Sequence, residues 1–266
     1  MQRTNSAPYD FVVVDEAQDV SVPQLRFLAA MTSARANGLF FAGDLGQRIF
    51  QTPFSWKSLG VDIRGRSSAL RVNYRTSHQI RRQADRLLGA EIADVDGVVE
   101  TRGGTVSVFN GADPTIRIVA DEAAETATIG VWIRERVAQG VLPQEIGVFV
   151  RSAAEIARAR AAVAAADLLT TTPAPGVDAE VGKVVLMPMH LAKGMEFRAV
   201  IVAACDEEIL PLQSRIESIT DESDLEEVYN TERQLLYVAC TRARDHLLVT
   251  AVAPGSEFIG DLVAHH

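Results

Sequence analysis

The stretch Phe11-Val12-Val13-Val14-Asp15-Glu16-Ala17-Gln18-Asp19 decides how this chain is interpreted. An apolar, β-branched run that ends abruptly in polar residues predicts a strand buried on both faces. Ligands of open α/β sheets lie beyond the carboxyl ends of the strands, where Asp15 and Glu16 would stand. Asp15 can hold a Mg²⁺ that bridges nucleotide phosphates, and Glu16 can orient and deprotonate an attacking water. The alternative is that these acids merely cap the next helix.

Length and composition indicate a globular protein. The chain has 266 residues, of which 47% are hydrophobic, enough for one large domain or two modest ones. It contains no apolar run of membrane-spanning length, and its first residues do not form a signal peptide, so we predict a cytoplasmic protein without a membrane partner. Its two cysteines, Cys205 and Cys240, are far apart, which favours reduced, buried thiols over a disulfide or a zinc site.

The charge pattern leaves nucleic-acid binding open. A formal net charge of -9 on its own argues against it. The distribution is uneven, however, because the acids concentrate between Asp206 and Glu232, so a basic groove can exist on an acidic molecule. The basic residues cluster in one short stretch, which holds Arg64, Arg66, Arg71, Arg75, Arg81, Arg82 and Arg86.

A second predicted strand, residues 38–43, also ends in polar residues. Gly43-Asp44 follows it directly, and Gln47 is placed to reach a terminal phosphate or the attacking water. A plain turn is the alternative for Gly43-Asp44.

Aromatic and cationic residues follow this strand. Phe50, Phe54 and Trp56 lie near Arg48 and Lys57, a mixture that suits base stacking and phosphate contact along a single nucleic-acid strand. Core packing is the alternative; it is favoured for Phe54 and is as good an interpretation for Phe50 and Trp56.

The rest of the chain alternates between strands and helices. This alternation predicts parallel β-α-β units, with a loop over residues 91–104. A long helix over about residues 224–243 is apolar nearly all round in its second half, which predicts burial. Arg242 near its end then needs an anionic partner, either a carboxylate or a nucleotide phosphate. Arg75 follows a short strand and can point at a phosphate, or be a surface arginine.

Five segments in this order resemble the UvrD/Rep/PcrA group of superfamily 1 DNA helicases. The first looks like the family's Walker B segment and the last like its final motif. The segments are Asp15-Glu16-Ala17-Gln18-Asp19, Gly43-Asp44 with Gln47, Asn73-Tyr74-Arg75-Thr76, His190 with Lys193-Gly194-Met195-Glu196-Phe197, and Tyr237-Val238-Ala239-Cys240-Thr241-Arg242-Ala243. The resemblance covers nearly the whole chain.

The resemblance implies an ATP- and Mg²⁺-dependent 3′-5′ translocase on single-stranded DNA, built from RecA-like parallel sheets. Asp15 would be the metal ligand. The implied catalytic residues are Glu16, Gln47, Arg75 and Arg242. The implied nucleotide-binding residues are Asp15, Gln47, Tyr74, Arg75, Glu196 and Arg242. The implied DNA contacts are Phe50, Trp56, His190 and Lys193.

Two departures from the family pattern matter. The chain contains no G-x-x-x-x-G-K-[ST], the loop that cradles nucleotide phosphates. It also has only a short loop between Ala166 and Val184, where many relatives carry a large accessory insertion.

We therefore expect a partial first lobe over residues 1–65 and a complete second lobe over residues 66–266. Alone, the chain should bind ATP weakly and hydrolyse it negligibly, for want of a segment or second chain that carries the phosphate loop. The partial lobe should leave one face of its sheet uncovered. The alternative is a non-catalytic module that binds nucleic acid or a partner.

Overall fold

The architecture was analysed on a computed structural model. It describes residues 9–32, 36–50, 54–89, 91–97, 99–101, 104–174, 179–219 and 221–263. Two compact units make up the chain. Unit 1 comprises residues 1–70 and 90–104, and unit 2 comprises residues 71–89 and 105–266. The first boundary between the units lies after residue 70, and residues 90–104 also belong to unit 1, whereas the division into lobes was predicted after residue 65.

The described residues form twelve strands and seven α-helices, numbered along the chain. The strands are β1 (Val12–Val14), β2 (Leu39–Phe41), β3 (Val72–Asn73), β4 (Glu91–Ala93), β5 (Val99–Thr101), β6 (Val106–Ser107), β7 (Thr115–Val119), β8 (Ile146–Val150), β9 (Leu169–Thr171), β10 (Lys183–Pro188), β11 (Phe197–Val202) and β12 (Ala243–Val252). The helices are α1 (Val22–Thr32), α2 (His78–Ala84), α3 (Glu122–Ala138), α4 (Ile156–Ala164), α5 (Gln213–Ile216), α6 (Glu222–Thr241) and α7 (Glu257–Val263).

Unit 1 is organised around a small parallel sheet. Strands β1 and β2 pair in parallel, with Val13 opposite Phe40. The core of the unit forms where Leu25 of α1 packs with Val20 and Val61, and the inward residues of both strands join it. Because side chains alternate along a strand, Val13 and Phe40 point to the opposite face.

Within the residues that the structure describes, nothing covers that opposite face. Val13 is 70% exposed and Phe40 is 64% exposed. The expectation that β1 is buried on both faces is therefore wrong for this chain, since a sheet of two strands packs only one face against α1. The separate expectation of an uncovered apolar face in the first lobe agrees with these exposures.

Residues 91–101 include a hairpin where a loop was expected. Strands β4 and β5 pair antiparallel. The turn side of the hairpin is tied to the rest of unit 1 through Asp96, whose carboxylate accepts hydrogen bonds from the Ser55 hydroxyl at 2.5 Å and the Lys57 backbone N–H at 3.0 Å. These bonds, led by that from Ser55, lower the pKa of Asp96. Strands of three residues, half of whose residues are polar, lack the apolar run by which a strand is recognised in sequence.

Unit 2 contains a six-stranded, all-parallel sheet in the order β7-β12-β11-β8-β10-β9. One face is covered by α3 and α4, where Ile133 and Val163 pack with Val148 of the central strand β8. Helix α6 contacts β11 and β12. The buried central strands read as nearly continuous apolar runs, as expected for parallel strands. The predicted α/β class with parallel sheets is confirmed.

Several boundaries differ from those expected. Strand β12 begins at Ala243 rather than at His246, so only Arg242 separates it from the end of α6 at Thr241. Strand β9 occupies the start of a predicted loop. The second half of α6 is buried as predicted, because Leu236, Val238 and Cys240 are all inaccessible. No helix in the described ranges has the length and apolarity needed to cross a lipid bilayer.

Candidate functional site

In unit 1, the predicted acids stand just past the end of β1. Asp15 and Glu16 are both exposed. The backbone of Glu16 has φ 50°, in the left-handed region that residues other than glycine rarely adopt. Such a conformation costs about 1–2 kcal/mol and persists only where the surroundings impose it. The backbone at Glu16 is therefore strained, and the surrounding structure holds it in this conformation.

The side chain of Gln18 links the two strand ends. It is buried, and its Nε2 donates to the Glu16 carboxylate at 2.5 Å. Its Oε1 accepts a hydrogen bond from the Asp44 backbone N–H at 3.0 Å. Asp44 in turn accepts hydrogen bonds from Gln47 Nε2 at 2.9 Å and from the Gly46 backbone N–H at 2.8 Å. A continuous hydrogen-bonded chain therefore joins Glu16 to Gln47.

Gln18 and Asp44 were not given roles from the sequence. The signal for Gln18 was its position two residues after an acid at a strand end, where a buried amide can serve two partners. Asp44 acts as the cap of the turn at residues 45–47, so the plain-turn interpretation of this residue is also correct. Glu16 is the N-cap residue of the short 3₁₀ turn at residues 17–19, but its side chain makes no capping hydrogen bond there. Helix α1 begins only at Val22, so Asp15 and Glu16 do not cap that helix.

Gly43 is required by close packing. A Cβ on residue 43 would lie 2.4 Å from Gln18 Oε1 and 3.2 Å from the Ala17 backbone nitrogen. Any side chain at this position would displace the Gln18 amide. The absence of a side chain at Gly43 is therefore part of the network.

Asp15 is chemically suited to Mg²⁺. Within the part of the chain that the structure describes, no three His, Cys, Asp or Glu side chains are grouped to enclose a metal. Mg²⁺, however, is commonly held by one or two carboxylates together with substrate phosphates and water. An exposed carboxylate such as Asp15 fits that donor set.

The aromatic residues of unit 1 divide between core and surface. Trp56 packs edge-on against Phe41 with ring centroids 4.7 Å apart, and stacks with Phe54 at 6.3 Å. Both Trp56 and Phe54 join the core of the unit. Phe50 is 53% exposed. Core packing thus accounts for Phe54 and Trp56, and Phe50 is the more accessible of the two predicted DNA contacts.

In unit 2, two predicted nucleotide-binding residues meet at the surface. Arg75 Nε lies 3.3 Å from Glu196 Oε2, and both side chains are nearly half exposed. The Asn73 side chain accepts hydrogen bonds from the backbone N–H groups of Arg75 at 2.8 Å and Thr76 at 3.2 Å, which fixes the turn into α2. Tyr74 is 74% exposed. Arg75 therefore projects from a rigid turn.

Arg242 lies beside this pair but is buried. The residue is 1% exposed, and its guanidinium donates to the carbonyl oxygens of Val238 at 3.0 Å and Met195 at 3.4 Å. Its own carbonyl accepts from the Phe197 backbone N–H at 3.0 Å. A contact with phosphate would require this buried guanidinium to become accessible.

In unit 2, His190 and the predicted nucleotide contacts Glu196 and Arg242 lie at opposite ends of the parallel strands. Glu196 and Arg242 precede the amino ends of β11 and β12. His190 follows the carboxyl end of β10. Because the strands of this sheet are parallel, residues 189–196 run from the carboxyl end of β10 to the amino end of β11. Lys193 lies in this connection, between His190 and Glu196.

Sequence analysis missed a buried ionic cluster near His190. The Glu232 carboxylate, which is inaccessible, accepts hydrogen bonds from Arg151 Nε and Nη2, both at 2.5 Å, and from Arg215 Nη1 at 3.0 Å. The pKa of His190 is lowered, chiefly because its imidazole is partly buried and to a lesser extent because Arg151 carries a positive charge nearby. A signal was present, because Arg151 directly follows the buried strand β8.

Comparison with known proteins identifies two matching family models. The model for the UvrD/REP helicase N-terminal domain matches residues 1–56, and the model for the UvrD-like helicase C-terminal domain matches residues 161–253. A probable DNA helicase of Mycoplasma pneumoniae is 25% identical over 252 residues, which are 91% of this chain and 44% of that protein. The ATP-dependent DNA helicase UvrD2 of Mycobacterium bovis is 30% identical over 148 residues, 54% of this chain and 21% of that protein.

A solved structure also matches this chain. The crystal structure of the C-terminal domain of a possible DNA helicase from Lactobacillus plantarum WCFS1 has a TM-score of 0.49 and 22% sequence identity, and the match covers 71% of this chain and 94% of that one.

The chain is thus a mixed α/β protein with helicase motifs at its strand ends. It belongs to the UvrD-like family of DNA helicases. It spans less than half the length of the Mycoplasma pneumoniae and Mycobacterium bovis relatives.

Proposed function

We propose that the chain is the C-terminal part of an ATP-dependent 3′-5′ DNA helicase. In this proposal unit 1 is a partial first RecA-like lobe, and unit 2 is a second lobe without a large accessory insertion. The observation that carries the proposal is the hydrogen-bonded chain from Glu16 through Gln18 and Asp44 to Gln47. This chain of hydrogen bonds connects Glu16, the proposed base, to the side-chain amide of Gln47, which is proposed to sense the terminal phosphate.

The residues have distinct proposed roles in hydrolysis. Asp15, together with the nucleotide phosphates, would hold a Mg²⁺ ion, and that ion would supply positive charge at the reacting phosphoryl group. Glu16 accepts a proton from the attacking water, and Gln47 orients that water. Arg75 and Arg242 stabilise the negative charge that develops on the transferred phosphoryl group, an effect commonly of about 10³–10⁵ in rate.

Tyr74 and Glu196 have proposed roles in binding the nucleotide. An exposed tyrosine on a fixed turn suits stacking against adenine, and a carboxylate suits the hydroxyls of the sugar. His190 and Lys193, with Phe50 and Trp56, are the proposed contacts to single-stranded DNA. For Trp56 this requires its core packing to leave one edge of the ring accessible.

We further propose that the 266-residue chain alone is nearly inactive as an ATPase. It contains no G-x-x-x-x-G-K-[ST], so the backbone N–H groups and the lysine that hold the β- and γ-phosphates are missing from it. Such electrostatic stabilisation is usually the largest part of catalysis. A preceding segment or a second chain would supply the loop, and the exposed Val13 and Phe40 offer an apolar sheet face for it to cover.

The test is ATP hydrolysis by the 266-residue chain, with and without single-stranded DNA, beside the Glu16→Gln variant. We expect no magnesium-dependent rate above that of the variant. Robust hydrolysis by the unmodified chain that Glu16→Gln abolishes would disprove the proposed inactivity. Adding a polypeptide that carries the phosphate loop, encoded upstream or in a second gene, should restore a rate that depends on Glu16.

DNA binding is tested separately, by fluorescence anisotropy of a labelled single strand over a salt series. Replacing Lys193 by Gln should weaken binding and reduce the log–log salt slope by about 0.7 for each phosphate that the side chain neutralises. Arg160→Gln, an exposed residue of α4, removes one positive charge elsewhere in unit 2 and is the control. A salt slope unchanged by Lys193→Gln would remove this residue from the proposed DNA site.

The rival proposal is a non-catalytic module that binds nucleic acid or a partner protein. The missing phosphate-loop pattern favours it. DNA binding without any ATPase on addition of a loop-bearing segment would support the module. The strained Glu16 and its hydrogen bond to Gln18 favour the enzyme, because a module that only binds has no use for that arrangement.

A further inference from the structure

The ion pair between Arg75 and Glu196 joins two residues to which the proposed function gives separate tasks. Their charged atoms are 3.3 Å apart, with 46% of the Arg75 side chain and 47% of the Glu196 side chain exposed. Arg242, the other proposed arginine, is buried and donates to carbonyl oxygens. Arg75 is therefore the one of the two arginines that solvent and a solute can reach directly.

We propose that Glu196 is the resting partner of Arg75 and that a terminal phosphate must displace it. On this proposal Glu196 is a specificity-determining residue, since it makes Arg75 available only to a group that competes successfully with a carboxylate. The inference rests on the proposed nucleotide site and adds to it a role for Glu196 other than contact with the sugar.

The charges favour such an exchange. A terminal phosphate carries up to two negative charges and three acceptor oxygens, whereas Glu196 offers one charge and two oxygens. A guanidinium forms its strongest hydrogen bonds in bidentate contacts with phosphate or carboxylate oxygens. Exposed ion pairs contribute only about 0.2–1 kcal/mol. The pair with Glu196 is therefore weak enough for a phosphate to replace the carboxylate at Arg75.

The backbone on both sides of the pair is fixed, so side-chain rotation alone can break the contact. Asn73 accepts hydrogen bonds from the backbone at Arg75 and the next residue. On the other side, Phe197 donates its backbone N–H to the Arg242 carbonyl at 3.0 Å. The exchange therefore requires no rearrangement of the sheet, and a substitution at Glu196 should leave the fold of unit 2 intact.

The first experiment asks whether the pair exists in solution. The arginine Nε–Hε signals of the ¹⁵N-labelled chain are recorded by NMR, and Arg75→Lys assigns the Arg75 signal. In Glu196→Gln we expect this signal to move to the position of a solvated arginine. A signal that does not respond to Glu196→Gln would overturn the proposal, whatever the chain does with nucleotides.

The second experiment measures the exchange with inorganic tripolyphosphate. This probe has terminal phosphates but no sugar, so loss of a sugar contact at Glu196 cannot affect the result. Glu196→Gln should bind it about 1.4- to five-fold more tightly, the factor that corresponds to losing a competing exposed ion pair. Arg75→Gln should bind it more weakly than the unmodified chain.

The matched control is Glu145→Gln. Glu145 forms a similar partly exposed pair with Arg198, at 3.5 Å in the same unit, so this variant removes the same charge. An equal gain in affinity in Glu145→Gln would mean a general charge effect and would overturn the proposal, as would unchanged or weaker binding in Glu196→Gln.

Failure of the proposed function gives a different result. If the NMR signal shows the ion pair but tripolyphosphate at millimolar concentration leaves the Arg75 signal unchanged, the exchange is disproved. The proposed function is then judged by the ATPase test, because the chain alone lacks the phosphate loop and weak binding is expected of it. If tripolyphosphate binds and shifts the Arg75 signal, but Glu196→Gln leaves the affinity unchanged, the site stands and the role of Glu196 is disproved.

Discussion

Gln18 donates a hydrogen bond of 2.5 Å to the carboxylate of Glu16. This contact is made possible by Gly43, because a Cβ on that residue would lie 2.4 Å from Gln18 Oε1. Two strand ends that are distant in sequence are thereby held together by one buried amide. The same amide restrains the carboxylate to which we assign proton transfer.

Gly43→Ala should destabilise unit 1. The added methyl group must displace the Gln18 amide, and overpacking of this kind costs about 1–3 kcal/mol. The measurement is urea unfolding followed by Trp56 fluorescence in a Trp132→Phe background, because the two tryptophans lie in different units. Gly260→Ala, where a Cβ meets nothing within 4 Å, is the control. Because Gly260 lies in unit 2, its unfolding is followed by Trp132 fluorescence in a Trp56→Phe background and should show no loss of stability. Equal stability of Gly43→Ala and the unmodified chain would contradict the close approach of Gly43 to Gln18.

Glu232→Gln should destabilise unit 2 strongly. It leaves the buried Arg151 guanidinium without a charged partner, and breaking a buried ion pair costs about 3–5 kcal/mol. Unfolding is followed by Trp132 fluorescence in a Trp56→Phe background. Glu180→Gln, which removes the partner of Lys183 in an exposed pair, should cost no more than about 1 kcal/mol.

The double variant Arg151→Met, Glu232→Leu separates burial of charge from loss of packing. Apolar residues of similar size often replace a buried ion pair without loss of stability. Recovery of at least half the stability lost in Glu232→Gln is therefore expected. A double variant as unstable as the single one would mean that the cluster acts through other contacts.

Stability should fall as the pH is lowered from 7 to 5.5. Burial lowers the pKa of both His190 and His246 below the ordinary value of 6.5, so below that pH the unfolded chain binds more protons than the folded one. Stability is then greatest above pH 6.5 and decreases as the pH falls towards the native pKa values. Replacing both histidines by Asn should flatten this part of the curve, measured by urea unfolding at each pH. His78→Asn, at an exposed position, should leave the slope as it is.

Neither cysteine should react with a thiol reagent at pH 8 in the native protein. Burial raises the pKa of Cys240 to about 12 and that of Cys205 well above its usual value, so the reactive thiolate is scarce and inaccessible. Dithionitrobenzoate should titrate two thiols only after unfolding in guanidinium chloride. Rapid reaction of either thiol in the folded protein would contradict the burial.

The elements predicted best from the sequence were those with long apolar patterns. The continuous apolar runs of β8 and β11 and the buried second half of α6 need no knowledge of distant contacts. The hairpin of β4 and β5 was missed because three-residue strands with polar residues carry almost no periodicity. The apolar run of β1 alone predicts burial on both faces, because it does not reveal how many faces of a sheet are covered. The exposure of Val13 follows instead from the expectation of a partial first lobe.

The sequence places candidate residues at strand ends but does not reveal the hydrogen bonds that join them. Strand ends located Glu16 and Gln47, since polar residues after apolar runs mark the ligand-binding edge of a sheet. Gln18 was not assigned a role, because its hydrogen bond to residue 44 depends on the pairing of β1 with β2. The burial of Arg242 could not be predicted either, because its partners are backbone carbonyl oxygens, which every residue has.

Residues 90–104 return to unit 1, so the polypeptide passes between the units at three points, after residues 70, 89 and 104. A single cut by a protease at any one of these passages would leave the two units covalently joined. A truncation at residue 70 would also deprive unit 1 of the hairpin that carries Asp96. Unit 2 can therefore be isolated whole only by shortening the polypeptide internally, with residues 89 and 105 joined by a new turn.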